Sequence, residues 1–308
     1  MAKFQLDEIK GVIPALITPF DEKERFDEKR MRNVVEHLLR QRVHGFYLTG
    51  STGEWFLMTP EERKRVVRVV VDQVNGRAPL IAHIGAIGTK ISIELAKHAA
   101  AAGVDAISSV PPFYWQFDNE SVFSYYKDVS ASTKLPMIVY NVALTGLLGF
   151  EQVKRFSGIE GVRGIKYTAT AHFEVMRMKE ELGKDFIVYS GCDEMALSGL
   201  SFGADGIIGS FYNLMPELFI DIYKAVKQQD LAAAQEKQRI ANIIITHATR
   251  QNYVGIIKRA LSWMGVDAGY CRRPLPNYDL EAEAELKREF RTLKQKHGIS
   301  GVDFLDAI

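Results

Sequence analysis

Eight short apolar runs, each followed by a longer stretch of helical periodicity, constrain this chain more than any other feature. They are GVIPALI (11–17), GFYLT (45–49), PLIAHI (79–84), DAISSV (105–110), PMIVY (136–140), VRGIK (162–166), FIVYS (186–190) and DGIIGS (205–210). Runs this short and this apolar suit strands buried on both faces. The segments between them are amphipathic. In 27–41, Met31, Val34, Val35 and Leu38 share a face, and 59–74 opens with Thr59 as N-cap and Pro60 at the first helical position. The joints repeat as well. AAGVDAISSV (101–110) and SFGADGIIGS (201–210) share a glycine able to end a helix left-handed, an Asp two residues on, and an apolar strand; RVHGFYLTG (42–50) is a looser version. Strict alternation predicts an α/β fold, a closed (β/α)8 TIM barrel over residues 1–230. An open doubly wound sheet fits less well, since no GxGxxG follows the first strand. Residues 231–308 read as a C-terminal helical extension packed on the barrel's outside, including YVGIIKRALSWMG and LEAEAELKREFRTLKQKHG.

With 39 basic and 38 acidic residues the formal charge is +1, which gives no footprint for nucleic acid or an anionic membrane surface. A small-molecule partner is expected. No stretch approaches the roughly 18 consecutive apolar residues of a membrane span, and MAKFQLDEIKG lacks the apolar region of a signal peptide, so the expected compartment is the cytoplasm. Cys192 and Cys271 are far apart and without CxxC spacing; they read as reduced thiols, with neither a disulfide framework nor a metal site.

In such a barrel the reacting groups collect where strands end. Strand two runs into GSTGE (50–54), strand four into PPFYW (111–115), strand five ends at Tyr140, strand six at Lys166, strand seven at SGCDE (190–194) and strand eight at Ser210. Lys166 is the residue that demands an explanation, because lysine is rarely fully buried. Between low-dielectric walls its ammonium form is disfavoured, and the neutral amine is a nucleophile for ketones; the resulting imine draws electrons from the adjacent carbon and permits carbon–carbon cleavage without metal. The plainer alternative places Lys166 one residue beyond the strand, reaching solvent or a carboxylate. Taken singly, GSTGE is also an ordinary turn, Tyr140 and Tyr114 are also wall residues, and Asp193 with Glu194 is also an ordinary helix start.

Taken together, GVIPALITPF, GSTGEWFLMTPEER, VPPFYW, VYN, GIKYTA, SGCDEMALSGLSFGADGIIGSFYN and CRRPLP occur in an order and spacing that resemble the pyruvate-dependent class I aldolases, the family of N-acetylneuraminate lyase and dihydrodipicolinate synthase. The resemblance covers nearly the whole chain. It implies Lys166 as the imine-forming lysine, Tyr140 as the proton shuttle, and Ser51 with Thr52 as holders of the pyruvate carboxylate, with no metal or diffusible cofactor. It implies that Tyr114 reaches a neighbouring subunit's site in a homotetramer of two close dimers. Thr168, Gly191, Asp193, Glu194 and Ser210 match the lyase residues that bind the sugar's hydroxyl-bearing tail. The synthase branch carries an arginine after Tyr-Asn-Val-Pro-Gly; here the stretch is YNVALTG, with Leu144 and no arginine, and it is also one residue shorter than the lyase pattern Tyr-Asn-Ile-Pro-Ala-Leu-Ser-Gly. The expected reaction is reversible cleavage of N-acetylneuraminate to pyruvate and N-acetylmannosamine. Its rivals are a related aldolase for another 2-keto acid, such as a 2-keto-3-deoxy sugar acid or a dihydrodipicolinate synthase-like reaction, and a non-catalytic regulator that binds pyruvate or a sugar acid.

Overall fold

The computed structural model describes residues 2–308. Each of the eight apolar runs contains a strand: β1 Gly11–Pro14, β2 Phe46–Leu48, β3 Leu80–His83, β4 Ala106–Ser109, β5 Met137–Val142, β6 Val162–Thr168, β7 Ile187–Ser190 and β8 Gly206–Gly209. All pairings between named strands are parallel, in the order β1-β8-β7-β6-β5-β4-β3-β2. A parallel bridge between Ala15 and Tyr47, with the Leu16 N–H donating to Tyr47 O at 2.9 Å, closes the ring between β1 and β2. The chain is a (β/α)8 TIM barrel. Its outer helices are α1 Glu28–Arg40, α2 Pro60–Val74, α3 Thr89–Ala102, α4 Asn119–Ala131, α5 Phe150–Ser157, α6 Phe173–Glu181, α7 Ala196–Ser201 and α8 Pro216–Lys227, followed by α9 Leu231–Ala248, α10 Tyr253–Trp263, α11 Leu280–His297 and α12 Asp303–Asp306. No helix among the described residues is long and apolar enough to cross a membrane.

The amphipathic segments bury the expected face: Met31, Val34, Val35 and Leu38 are buried on α1. Asp27 stands outside that helix as its N-cap, accepting the Arg30 N–H at 3.0 Å. Thr59 and Glu62 complete a capping box at the start of α2, with Pro60 at the first position. Most strands are shorter than the apolar runs that contain them, β1 ending at Pro14 within the run 11–17, but two extend beyond their runs. β5 continues two residues past Tyr140 and β6 two residues past Lys166, because Asn141 and Val142 pair with Tyr167 and Thr168. Lys166 therefore lies inside its strand, not at its end.

The repeated joint has a common hydrogen-bond closure at the opposite end of the barrel. Asp105 N–H donates to Leu80 O at 2.9 Å while its carboxylate accepts the Leu80 N–H at 2.9 Å. Asp205 does the same with Val188, at 2.8 and 2.9 Å. In the looser copy His44 donates to Val12 O at 2.9 Å, and its Nδ1 accepts the Val12 N–H at 3.1 Å. Gly103 and Gly203 take the left-handed conformation that starts the first two joints, and Arg42, at φ +61°, takes it in the third. Each joint thus satisfies an N–H of the first or second residue of a strand, at the rim of the barrel.

Candidate active site

Parallel register brings the central groups together. Tyr140 and Lys166 are direct partners in the β5–β6 ladder, and Thr168 follows Lys166 by two residues, so all three side chains project from the same face of the sheet. Lys166 is 4% exposed. Its Nζ lies 4.0 Å from the Tyr140 ring centroid and 5.6 Å from that of Tyr47, and donates to Thr168 Oγ1 at 3.2 Å. The lysine does not turn out to solvent. Tyr140 is buried and stands edge-on to Tyr47 and to His83, whose imidazole is held well below the usual histidine range by burial and then by the Arg63 guanidinium.

The GSTGE segment forms a tight 3₁₀ turn, Ser51–Gly53, between two residues in the left-handed region, Thr49 at φ +50° and Glu54 at φ +60°. Inside it, the Thr52 and Ser210 hydroxyls share a hydrogen bond of 2.6 Å, which ties the exit of β2 to the exit of β8. Two glycines allow close approach here. A Cβ on Gly191 would fall 1.9 Å from Thr168 Oγ1, and one on Gly209 would fall 2.0 Å from Asp193 Oδ1.

Asp193 and Glu194 occupy a 3₁₀ turn, Asp193–Met195, ahead of α7. Asp193 does not cap that turn: its Oδ2 accepts the Phe211 N–H at 2.7 Å, across from β8. Glu194 is exposed. The turn itself is fastened from α9, where Gln238 Nε2 donates to Asp193 O at 3.1 Å and Asn242 Nδ2 to Glu194 O at 3.0 Å. Burial pushes the Asp193 carboxyl up to about 7. In the unfolded chain this group titrates near 3.9, so between the two values the native state binds the extra proton. Stability therefore falls as pH rises from about 4 to about 7, and the cost, at most about 4 kcal/mol, is fully present above that range. Asp193→Asn keeps an acceptor for Phe211 and removes the titration. Its melting temperature, measured relative to the unmodified protein, should be more favourable at pH 8 than at pH 5 by several degrees. An equal difference at both pH values would contradict this assignment.

Together these residues line a cavity of ≈ 200 Å³ that includes Ser51, Thr52, Tyr140, Lys166, Thr168, Gly191, Asp193, Glu194 and Ser210. Roomier grooves lie elsewhere, between α9 and α11 and at the opposite barrel face, but neither contains Lys166. Tyr114 is the one anticipated site residue not brought to this cavity: it is 94% exposed, in a left-handed backbone conformation at φ +77°. The loop after β5 is ordered by Asn141, whose side chain donates to Leu148 O at 3.0 Å and accepts Leu148 N–H at 2.9 Å, which leaves Leu144 at the cavity rim. Other wall residues were not legible. Ile245 and Thr249 at the end of α9 and Tyr253 at the start of α10 reach the cavity from the C-terminal extension, and Tyr253 stacks on Phe211 with centroids 5.8 Å apart. No sequence periodicity distinguishes these positions from helix ends that pack only on the barrel wall.

Residues 8–295 match the Dihydrodipicolinate synthetase family. An N-acetylneuraminate lyase of Escherichia coli (strain SMS-3-5 / SECEC) is 36% identical over 294 residues, spanning 94% of this chain and 99% of that lyase. The crystal structure of CdNal from Clostridium difficile in complex with mannosamine superposes with a TM-score of 0.89 at 33% identity, covering 94% of this chain and 99% of that one. A dihydrodipicolinate synthase from Bacillus anthracis does so with a TM-score of 0.87 at 28% identity, over 95% and 99% of the two chains. A buried lysine inside the barrel is the kind of nucleophile that imine chemistry on a keto acid uses, and with this breadth of similarity the chain belongs to the dihydrodipicolinate synthetase family as a class I pyruvate-dependent aldolase, a carbon–carbon lyase.

Proposed function

We propose that the enzyme cleaves N-acetylneuraminate reversibly to pyruvate and N-acetylmannosamine. The observation that carries the proposal is a single cavity that joins Lys166 and Tyr140 to Thr168, Gly191, Asp193, Glu194 and Ser210, the positions that match the lyase residues for the sugar's tail. In the forward direction the Lys166 amine adds to the C2 ketone of the open-chain sugar acid and water leaves, giving a protonated imine. Ser51 and Thr52 hold the carboxylate. Tyr140, working through that carboxylate, takes the C4 hydroxyl proton as the C3–C4 bond breaks, and the bonding pair moves into the imine to form an enamine. The aldehyde departs, C3 takes up a proton, and water returns to C2 to release pyruvate and the free amine.

A second reading has the same chemistry with a different aldehyde, and YNVALTG favours keeping it in view because the loop that borders the cavity departs from both branches of the family. A binding protein without turnover is the third, and the presence of both Lys166 and Tyr140 speaks against it. The test is pyruvate release across a panel of 2-keto sugar acids. N-acetylneuraminate should be cleaved, and Asp193→Ala should lower its kcat/KM by about 1.5–3 kcal/mol while sparing imine formation with pyruvate, since only the longer substrate reaches a carboxyl there. No cleavage by the unmodified protein, with turnover of another panel member, would shift the assignment to the related aldolase.

The proposal extends to a cytoplasmic homotetramer in which Tyr114 completes a neighbour's site. Its exposure supports this reading, as do Trp115, 71% exposed beside it, and Leu144, 78% exposed. Mixed Tyr114→Phe and Lys166→Ala subunits, each inactive alone, should regain activity on reassembly. No regain in verified mixed oligomers would confine Tyr114 to its own subunit.

A further inference from the structure

The carboxylate-holding turn is strained at both ends, and the two ends are secured differently. At Thr49, a β-branched residue for which φ +50° is costly, the hydroxyl donates to His83 O at 2.8 Å and the carbonyl meets His83 Nδ1 at 3.0 Å. Both partners belong to the neighbouring strand. At Glu54 the partners come from the far end of the chain. The Glu54 carboxylate is fully buried; one oxygen pairs with Lys258 Nζ on α10 and the other accepts the Arg272 N–H at 2.7 Å. Lys258, 2% exposed, spends its remaining donors on Thr18 O and Tyr270 O, each at 2.7 Å. All three of its N–H bonds are therefore used within the protein, and none faces the cavity. Arg272 completes the grip, donating to Leu57 O at 2.7 Å and to the Glu62 carboxylate at 2.7 and 2.9 Å.

An ion pair buried this completely is an unrewarding way to gain stability, because desolvation offsets much of the attraction. What it does supply is a single geometry. We infer that Lys258 and Glu54 are positioning residues: the pair fixes the left-handed kink at Glu54 and thereby holds Ser51 and Thr52 where the substrate carboxylate is received. Neither residue touches the substrate. The inference rests on the proposed imine chemistry with pyruvate, and it adds a role for the C-terminal extension in binding rather than in covering the barrel.

The experiment compares unmodified protein, Glu54→Gln and the paired variant Glu54→Leu/Lys258→Met, which replaces both charges with apolar groups. Borohydride trapping at Lys166 is measured against pyruvate concentration and, separately, against acetone, a ketone with no carboxylate. Loss of carboxylate positioning should raise the half-saturating pyruvate concentration about tenfold or more, the scale of one charge-assisted hydrogen bond, while leaving acetone trapping within about twofold. A pyruvate dependence unchanged in a folded variant, or equal losses with both ketones, would overturn the inference. Should neither variant fold, hydrogen exchange on the unmodified protein decides: pyruvate should slow exchange both at 50–57 and at 270–273, and protection confined to the turn would overturn it. Failure of the unmodified protein to be trapped by pyruvate at all would sink the proposed chemistry and this inference with it, and is seen before any variant is made.

Discussion

Lys166→Ala should gain no adduct when incubated with pyruvate and borohydride, whereas the unmodified protein should gain a reduced three-carbon adduct at that residue and nowhere else. The reason is local. Hydride traps only a covalent iminium, and Lys166 Nζ is the amine that lies buried against the Tyr140 ring inside the barrel. Lys258, also buried, has its nitrogen saturated by Thr18, Tyr270 and Glu54. Turnover by Lys166→Ala should fall to background, since the variant would have no other electron sink for the C3–C4 bond. Removing a cavity-lining side chain whose amine is bonded to one hydroxyl, that of Thr168, should cost the fold little, so the melting temperature serves as the control. An adduct in the variant, or an unchanged mass in the unmodified protein, would refute the mechanism.

Tyr140→Phe separates the two halves of the chemistry. The ring remains, and with it the wall that Lys166 packs against and the edge-on contacts with Tyr47 and His83. Only the phenolic hydroxyl, the proposed proton carrier, is lost. We expect kcat to fall by roughly 10²–10⁴-fold, the range for a general acid–base group, with pyruvate trapping largely retained. A fall below about tenfold would assign proton transfer to water and the substrate carboxylate alone.

The barrel was legible because its signal is periodic and local: eight apolar runs, eight amphipathic partners, and a glycine–Asp joint that recurs. What the joint does was not legible, since Asp105 bonds to Leu80 and Asp205 to Val188, residues 25 and 17 positions away that only the closed sheet brings near. The apolar runs end at Tyr140 and Lys166, but Val142, Tyr167 and Thr168 also favour extended backbone, and their mutual pairing carries both strands two residues further. Asp193 was read beside a helix start, where acidic residues are common; its actual partner is the Phe211 backbone, fixed by the approach of β7 to β8. The Glu54–Lys258 pair spans 204 positions. One cue for it did exist: Lys258 falls on the apolar face of α10, four residues after Val254 and three before Leu261, where a lysine must have a buried partner.

The antiparallel bridge between Phe20 and Tyr270, beside the Lys258 bond to Thr18, gives the molecule a particular order of completion. The exit of the first strand, among the earliest segments to be synthesised, is secured by residues made about 240 positions later. Contacts of such separation form slowly and late, after the local βα units have already collapsed. A nascent chain can hold all eight staves of its barrel while the mouth between the first and second remains loose. The finished turn is in this sense a record that translation has run past Arg272, and a prematurely terminated product would carry Lys166 without the proposed seat for its substrate's carboxylate.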